Sequence, residues 1–221
     1  MKTIAVLGGT GKEGSGLALR WARFGYEVII GSRSAEKATR RVAELLAEID
    51  HPSLRGGLQG MANEDAARQA DHAVLTVPYS AHRATLSALI QPLEGKILVD
   101  VTVPLQPPKV RSVHLPSGQA AALEAQEILG DAVRVVAAFQ NVSAEELVDA
   151  AHEVDCDVLV CSDDQEARSF AIELAEAAGM RGIDAGGLRN AIAVESLTPV
   201  LLHINRHYRI RGSGVRITGI D

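Results

Sequence analysis

The sequence predicts an α/β fold built on a doubly wound parallel sheet, and three observations support this prediction. Short apolar segments alternate with amphipathic segments along the 221 residues, which is typical of parallel strands joined by crossover helices. Segments such as Ala73–Val77 are almost continuously apolar, as expected for strands covered by helices on both faces. A glycine-rich segment at residues 8–14 directly follows the first strand, as it does in dinucleotide-binding units.

The strands of this sheet are short apolar runs. Six are predicted at Thr3–Leu7, Glu27–Ile30, Ala73–Val77, Ile97–Val101, Val133–Ala137 and Asp157–Val160. Two shorter strands are predicted at Leu58–Gln59 and Gly182–Asp184.

The helices between them are indicated by apolar residues that recur three and four positions apart. They are predicted at Ser15–Phe24, Ala35–Glu48, Asn63–Gln69, Ser80–Ile90, Gly118–Leu129, Ala144–Ala150, Asp164–Ala178 and Leu188–Asn205. The segment Asp184–Gly187 is a break in this pattern. We therefore expect residues 1–186 to form the sheet domain and residues 187–221 to form a small C-terminal helical layer.

The glycine-rich segment has the spacing G-x-G-x-x-G, with glycines at Gly9, Gly11 and Gly14. Glycine at these places allows a tight turn, close approach of the backbone to a phosphate, and close packing of helix on strand. Many loops before helices are rich in glycine, but here a strand precedes the turn and a helix and second strand follow it. The segment therefore predicts the site of a dinucleotide pyrophosphate at a helix N-terminus.

The end of the second strand indicates which dinucleotide is bound. A site for NAD places an acidic residue there, whereas this chain has Ser32 and Arg33, with Lys37 one turn into the next helix. A hydroxyl, a guanidinium and an ammonium group suit a 2′-phosphate. The alternative is that Arg33 and Lys37 are ordinary solvated surface charges. Because cations at a helix N-terminus are opposed by the helix dipole, an anionic partner is favoured, and we predict NADP.

Two further strand exits are expected beside this turn, at the carboxyl edge where doubly wound sheets bind ligands. One carries Thr76, Pro78 and Tyr79, and the next runs from Asp100 to Leu105. Both are expected to flank the nicotinamide and its ribose. A third loop, residues 139–143, either covers a flat ligand or is an ordinary turn whose Ser143 caps a helix.

Composition excludes several other functions. The net charge of −6, with both signs interspersed, argues against a nucleic-acid or anionic-membrane surface. No segment has the length and apolarity of a membrane span or signal peptide. Cys156 and Cys161 lie five residues apart across a strand and so point to opposite faces, which suits neither a disulfide nor a metal pair. We expect reduced thiols and a cytoplasmic location.

We find no general acid–base pair in the sequence and therefore predict no catalytic side chain. Hydride transfer between two redox cofactors needs none at the carbon centres, because the protein supplies alignment. His203 and His207 have metal-ligand spacing on a helix, but they lack the acidic partner of an H-E-x-x-H motif, so we predict no metal. The other histidines, His82 among them, are scattered and carry no signal.

The chain resembles the F420-dependent NADP oxidoreductases nearly from end to end. The resemblance rests on the glycine turn, on Gly31-Ser32-Arg33 with Lys37, on Ala73–Pro78, and above all on Val194-Glu195-Ser196-Leu197-Thr198-Pro199. It implies a cytoplasmic, usually dimeric and metal-free enzyme that exchanges a hydride between C4 of the nicotinamide and C5 of the deazaflavin coenzyme F420. It also implies that residues 1–186 bind NADP and that residues 187–221 complete the deazaflavin site and the dimer interface.

The resemblance assigns individual residues as well. It places Thr10, Gly11, Lys12 and Glu13 at the pyrophosphate, and Ser32, Arg33 and Lys37 at the 2′-phosphate. The rest of the NADP site is implied at Tyr79, Arg83, Leu105 and Ala144, and deazaflavin contacts at Gln140 and Val142. The archaeal pattern has His where Gln140 stands and Trp where Tyr79 stands, which leaves room for another acceptor.

Two alternatives to F420 reduction therefore remain open. The chain could reduce another acceptor with NADPH, such as a flavin, an imine or a ferric chelate, or it could be a non-catalytic NADP-binding sensor. A homodimer is expected, because the predicted last helix is apolar and the tail Val215–Ile220 has the alternating apolar pattern of a strand. Such a strand would pair with the edge of a sheet.

Overall fold

The computed structural model describes residues 2–48, 54–150 and 152–220 and contains the expected parallel sheet. Six parallel strands lie in the order β3-β2-β1-β4-β5-β6. Their bounds are Thr3–Leu7 (β1), Glu27–Ser32 (β2), Leu58–Ala62 (β3), His72–Leu75 (β4), Ile97–Asp100 (β5) and Arg134–Ala137 (β6). Strand order reverses between β1 and β4, which is where ligands bind in sheets of this kind.

Helices cover both faces of this sheet. They are Lys12–Phe24 (α1), Ala35–Glu48 (α2), Asn63–Gln69 (α3), Tyr79–Ser87 (α4), Ile90–Leu93 (α5), Ala121–Leu129 (α6), Ala144–Leu147 (α7), Gln165–Ala177 (α8) and Ala191–Tyr208 (α9). A 3₁₀ turn at Leu188–Asn190 precedes α9. The predicted fold class, a doubly wound parallel sheet with a C-terminal helix, is therefore confirmed. Among the helices of the described residues, none has both the length and the apolarity needed to cross a membrane.

Several boundaries differ from the sequence prediction for local reasons. Helix α1 begins at Lys12 rather than Ser15, so that Gly14 lies in its first turn. The N–H groups of a first turn have no partners within the helix, and a glycine is tolerated there. Strand β4 ends at Leu75 rather than Val77, three residues before Pro78, which has no N–H to donate to a ladder. Helix α6 begins at Ala121 rather than Gly118. The side chain of Glu195 accepts hydrogen bonds from the first two N–H groups of this helix, those of Ala121 and Ala122.

The core consists of two apolar clusters, one on each face of the sheet. Along β1, Ile4 and Val6 belong to one cluster and Ala5 and Leu7 to the other, as the two-residue period of a strand requires. Trp21 of α1 lies in the first cluster, makes an edge-to-face contact with Phe139 at 5.9 Å between ring centroids, and donates to the carbonyl of Leu174. Burial on both faces explains why the strands are almost entirely apolar.

The last two strands form a second, small sheet. Asp157–Val160 (β7) pairs in parallel with Arg181–Asp184 (β8). An antiparallel bridge between Ala137 and Cys161 joins it to the end of β6. Cys156 and Cys161 are free, buried and in different apolar clusters, which confirms the prediction that they point to opposite faces.

The expectation of a strand in the tail is wrong. Residues 215–220 form no strand, because polar side chains bind the backbone of the tail instead. The buried carboxylate of Asp157 accepts the N–H of Ile217, and Arg181 donates to the carbonyls of Ile217 and Ile220. Hydrogen bonds from Arg181 hold the pKa of Asp157 below its ordinary value. The carbonyl of Val215 accepts the N–H of Asp157, which is the backbone contact with β7.

A buried guanidinium fastens α1 to the segments around it. Arg20 is 5% exposed and donates to the backbone carbonyls of Glu146, Asp149, His152 and Ala178. These carbonyls come from α7, from the segment after it, and from the end of α8. One side chain therefore replaces the capping groups that those chain ends would otherwise need.

We predict that Arg20→Met lowers the free energy of unfolding by about 3 kcal/mol, because several carbonyls lose a charged donor at once. Urea denaturation monitored by tryptophan fluorescence measures this change. Arg40→Met is the matched control, since Arg40 lies exposed on α2, and it should change stability by less than about 0.5 kcal/mol. Equal midpoints for the two variants would show that the carbonyl contacts of Arg20 contribute nothing.

Candidate active site

The glycine turn joins β1 to α1 with very little space between them. A Cβ atom on Gly14 would lie 2.6 Å from Cα of Gly9 and 2.5 Å from Oγ1 of Thr76, and one on Gly9 would lie 2.7 Å from the carbonyl oxygen of Val6. Nothing lies within 4 Å of a Cβ built on Gly11, so the space in front of the helix N-terminus is open. The turn thus presents free N–H groups to an unobstructed position, as binding of a phosphate requires.

Lys12 and Glu13 contribute to this turn in different ways. Nζ of Lys12 binds the carboxylate of Glu145 at 2.6 Å on the surface, so its side chain is already engaged by an acidic partner. Glu13 lines the adjacent cleft, where loss of solvent raises its pKa to about 8. A carboxyl group that is largely neutral near pH 7 does not repel a bound anion as a carboxylate would.

The residues predicted to bind a 2′-phosphate lie together at the end of β2. Arg33 and Lys37 are exposed, and the structure gives neither side chain a partner among the described residues. Ser32 is buried, and its hydroxyl accepts the N–H of Ser34. Ser32 and Arg33 line a cavity of about 570 Å³ between the ends of β2 and β3 and helix α4. Two unpaired cations beside a cavity suit an anionic ligand.

Asn63 connects this cavity to the glycine turn. Its Oδ1 accepts the N–H of Gly8 at 3.1 Å, and a Cβ on Gly31 would lie 2.7 Å from the same atom. The sequence analysis gave Asn63 no role beyond the start of a predicted helix. Asn63 directly follows β3, which is separated from β1 by β2, so no local pattern indicates its contact with Gly8.

The main cleft lies at the carboxyl ends of β4, β5 and β6 and has a volume of about 370 Å³. Helix α9 and Ser213 of the tail form its far wall. The predicted site residues that line it are Glu13, Thr76, Pro78, Tyr79, Leu105, Gln140, Val142 and Ala144. Arg83 lies exposed on α4 and lines neither cavity.

Several residues of the main cleft were not predicted. None of the following was named as a site residue, although each lies in a segment that was expected to contribute: Thr102 and Asn141 in the strand exits, and Thr198, Leu201, Asn205 and Ser213 in the C-terminal part of the chain. The loop at residues 139–143 lines the cleft, and Ser143 begins α7 without a capping hydrogen bond from its side chain. The loop is therefore more than a capped turn.

Two amide side chains of this loop have fixed orientations. Nε2 of Gln140 donates to the carbonyl of Asp100 at 2.8 Å, and Nδ2 of Asn141 donates to the carbonyl of Val194 at 3.0 Å. The carbonyl oxygens Oε1 of Gln140 and Oδ1 of Asn141 are buried and have no hydrogen-bond partner in the part of the chain that the structure describes. Buried acceptors are normally satisfied, so these two oxygens are exceptions among the buried polar atoms of the described residues.

Ionisable side chains are concentrated behind the cleft. Oη of Tyr79 donates to Glu124 at 2.9 Å, and desolvation together with this bond raises the pKa of Tyr79 to about 12. Glu195 of α9 accepts the N–H groups of Ala121 and Ala122, and burial raises its pKa to about 8. The carboxyl group of Glu195 thus closes the N-terminus of α6.

His82, which carries no signal in the sequence, has a buried partner in the structure. Nε2 of His82 lies 2.6 Å from Oδ2 of Asp100, and both side chains are buried. Asp100 ends the strand beside the one that leads into α4. Neither residue lines the main cleft. Within residues 2–48, 54–150 and 152–220, no group of three or more His, Cys, Asp or Glu side chains could hold a metal ion.

Comparison with known proteins identifies the family. Residues 3–104 match the profile of a family described as NADP oxidoreductase, coenzyme F420-dependent. The F420-dependent NADP reductase of Methanothermobacter marburgensis is 46% identical over 98% of each chain, and that of Methanocaldococcus jannaschii is 39% identical over 99% of each chain. A crystal structure from Arthrobacter sp. FB24, provisionally described as an F420-dependent NADP-reductase, superposes with a TM-score of 0.80 at 28% identity over 99% of this chain and 100% of the other. The chain belongs to the family of F420-dependent NADP oxidoreductases.

Proposed function

We propose that this protein transfers a hydride between NADPH and the deazaflavin coenzyme F420. The observation that carries the proposal is the main cleft, which lies beside the glycine turn at the carboxyl edge of the sheet and is walled on its far side by α9 and Ser213.

The reaction moves two electrons and one proton as a hydride from C4 of the nicotinamide to C5 of the deazaflavin, which takes up a second proton from solvent. The protein needs to hold the two carbons about 3–3.5 Å apart and to exclude water. Glu13 and Tyr79 are the ionisable residues of the cleft lining. The pKa of Glu13 is raised to about 8 and that of Tyr79 to about 12. Neither is required for transfer at the carbon centres, so no side chain is assigned as catalytic.

The NADP site extends from the cavity at the end of β2 to the main cleft. Its pyrophosphate lies against Gly9, Thr10, Gly11, Lys12, Glu13 and Gly14, and its 2′-phosphate against Ser32, Arg33 and Lys37. The remainder of the cofactor contacts Thr76, Pro78, Tyr79, Leu105 and Ala144 in the main cleft, and Arg83 contacts it from the exposed side of α4, outside both cavities. The deazaflavin contacts Gln140 and Val142, and residues 187–221 complete its site, which the position of α9 and Ser213 in the cleft wall supports.

Spectroscopy tests the proposed reaction directly. With NADPH and oxidised F420, the protein should bleach the visible absorbance of the deazaflavin, because hydride addition at C5 interrupts the conjugation of its ring. FMN, FAD and a ferric chelate, each supplied with NADPH, should turn over far more slowly. If the F420 absorbance stayed unchanged while a flavin or ferric chelate was reduced rapidly, the acceptor would be the flavin or chelate rather than F420. Failure with every acceptor would favour an NADP sensor.

Cofactor selectivity tests the assignment of the 2′-phosphate. Arg33→Ala and Lys37→Ala each remove a charge-assisted hydrogen bond of about 1.5–3 kcal/mol, so KM for NADPH should rise roughly ten- to a hundredfold while the weak activity with NADH stays nearly constant. Ser32→Asp should narrow or reverse the preference by repelling the phosphate.

Lys2→Ala is the control for these variants, because Lys2 lies over Phe170 at the opposite edge of the sheet. Its kinetics with both cofactors should match those of the wild type. If the two alanine variants at Arg33 and Lys37 kept wild-type selectivity, the 2′-phosphate would have to bind elsewhere.

The protein is further proposed to act as a cytoplasmic homodimer. Apolar side chains on and after α9 support a dimer, since Val200, Tyr208 and Ile210 are 44%, 67% and 48% exposed and exposed apolar patches often form interfaces. The free thiols of Cys156 and Cys161 support the location.

Light scattering at low micromolar concentration should give about twice the chain mass of 23.4 kDa. Val200→Arg should shift the protein toward the monomer, because a charge would be buried at the interface. Val148→Arg is the control, since Val148 is 58% exposed but follows α7. A wild-type protein with the mass of one chain would refute the dimer.

A further inference from the structure

A buried acid–histidine pair lies beneath the main cleft and has no role in the proposed reaction so far. His82 on α4 is 1% exposed and Asp100 at the end of β5 is 0% exposed. Nε2 of His82 and Oδ2 of Asp100 are 2.6 Å apart. The other ring nitrogen of His82, Nδ1, is buried and has no partner within the described residues, so the pair makes one strong contact and leaves one polar atom unsatisfied.

Asp100 connects the three strand exits that form the cleft. Its Oδ1 accepts the N–H of Thr102, in the exit of its own strand β5. Its backbone carbonyl accepts Nε2 of Gln140, in the exit of β6. Its Oδ2 binds His82 in the helix that follows β4. Thr102 and Gln140 both line the main cleft, whereas Asp100 and His82 do not.

The chain of contacts continues to the far wall. The carbonyl of Gln140 accepts a hydrogen bond from Oγ1 of Thr198 at 2.8 Å, and Thr198 lies on α9 in the cleft lining. A shift of Asp100 would therefore displace residues on both walls of the cleft. A displacement of about 1 Å at a reacting centre can reduce the rate a hundredfold.

Packing alone does not explain the pair. Two buried polar side chains cost desolvation, and apolar residues of similar volume usually stabilise a core equally well or better. An apolar residue at position 100 would leave the N–H of Thr102 without its acceptor, and one at position 82 would leave Oδ2 of Asp100 free to turn away from its present orientation. What the pair supplies is a fixed direction for the carboxylate.

We propose that the His82–Asp100 pair positions Thr102 for hydride transfer, with His82 and Asp100 acting as positioning residues outside the cleft lining. The proposal rests on the proposed function, because it assigns the pair to that same cleft. The imidazole N–H is the essential feature. The packing of the ring against Tyr79, whose centroid lies 6.1 Å away, is secondary.

Two substitutions separate these features. His82→Phe keeps an aromatic ring and loses the donor, whereas His82→Gln loses the ring and keeps an N–H donor. With NADPH and F420, kcat of His82→Phe should fall about tenfold or more, while KM for NADPH should change less than about threefold. His82→Gln should recover kcat to within about threefold of the wild type. With NADPH deuterated at C4, the isotope effect on kcat should increase in His82→Phe, because the hydride step becomes slower.

Circular dichroism and thermal melting establish that each variant is folded, and His82→Leu serves as the donor-free variant if His82→Phe does not fold. Suppose that the wild type is active. If kcat is then equal in the two variants, or if His82→Phe is active and His82→Gln is impaired, the positioning role is overturned and the proposed function stands. An inactive wild type would instead reject F420 as the acceptor. The same comparison would then be made with the acceptor that the protein does reduce.

Discussion

The close contact between α1 and the sheet at Gly9 and Gly14 is the constraint on which the remaining structure depends. No side chain fits between the turn and Thr76, so α1 begins immediately after β1 and its N-terminus points at the carboxyl edge of the sheet. The same contact brings the exit of β4 against the turn. The open position in front of α1 and the start of the main cleft are therefore fixed by one close approach of two glycines and a threonine.

Features that depend on neighbouring residues could be predicted from the sequence. The glycine spacing, the basic residues after β2 and the alternation of strands and helices each lie within a short segment, and the structure places the corresponding elements accordingly. The predicted end of β4 was two residues too late because Val77 is apolar, although Pro78 ends the ladder. Such errors arise where composition and hydrogen bonding give opposite indications.

Features that depend on distant residues could not be predicted in this way. The contacts of Asn63 with Gly8, of His82 with Asp100 and of Glu195 with the start of α6 each join residues far apart in the chain. A lone histidine or glutamate in a sequence gives no indication of such a partner. The tail was misjudged for a related reason, because its alternating pattern predicts a strand, whereas Asp157 and Arg181 bind its backbone groups through their side chains.

The position of Ser213 in the cleft wall has a consequence for how the site forms during synthesis. Strands β1 to β6 and the glycine turn are complete at Ala137, whereas Ser213 and its partner Asn205 are translated much later. Because domains generally fold as units, the cleft is complete only after α9 and the tail have packed against the sheet, and its far wall is the last part of it to be synthesised.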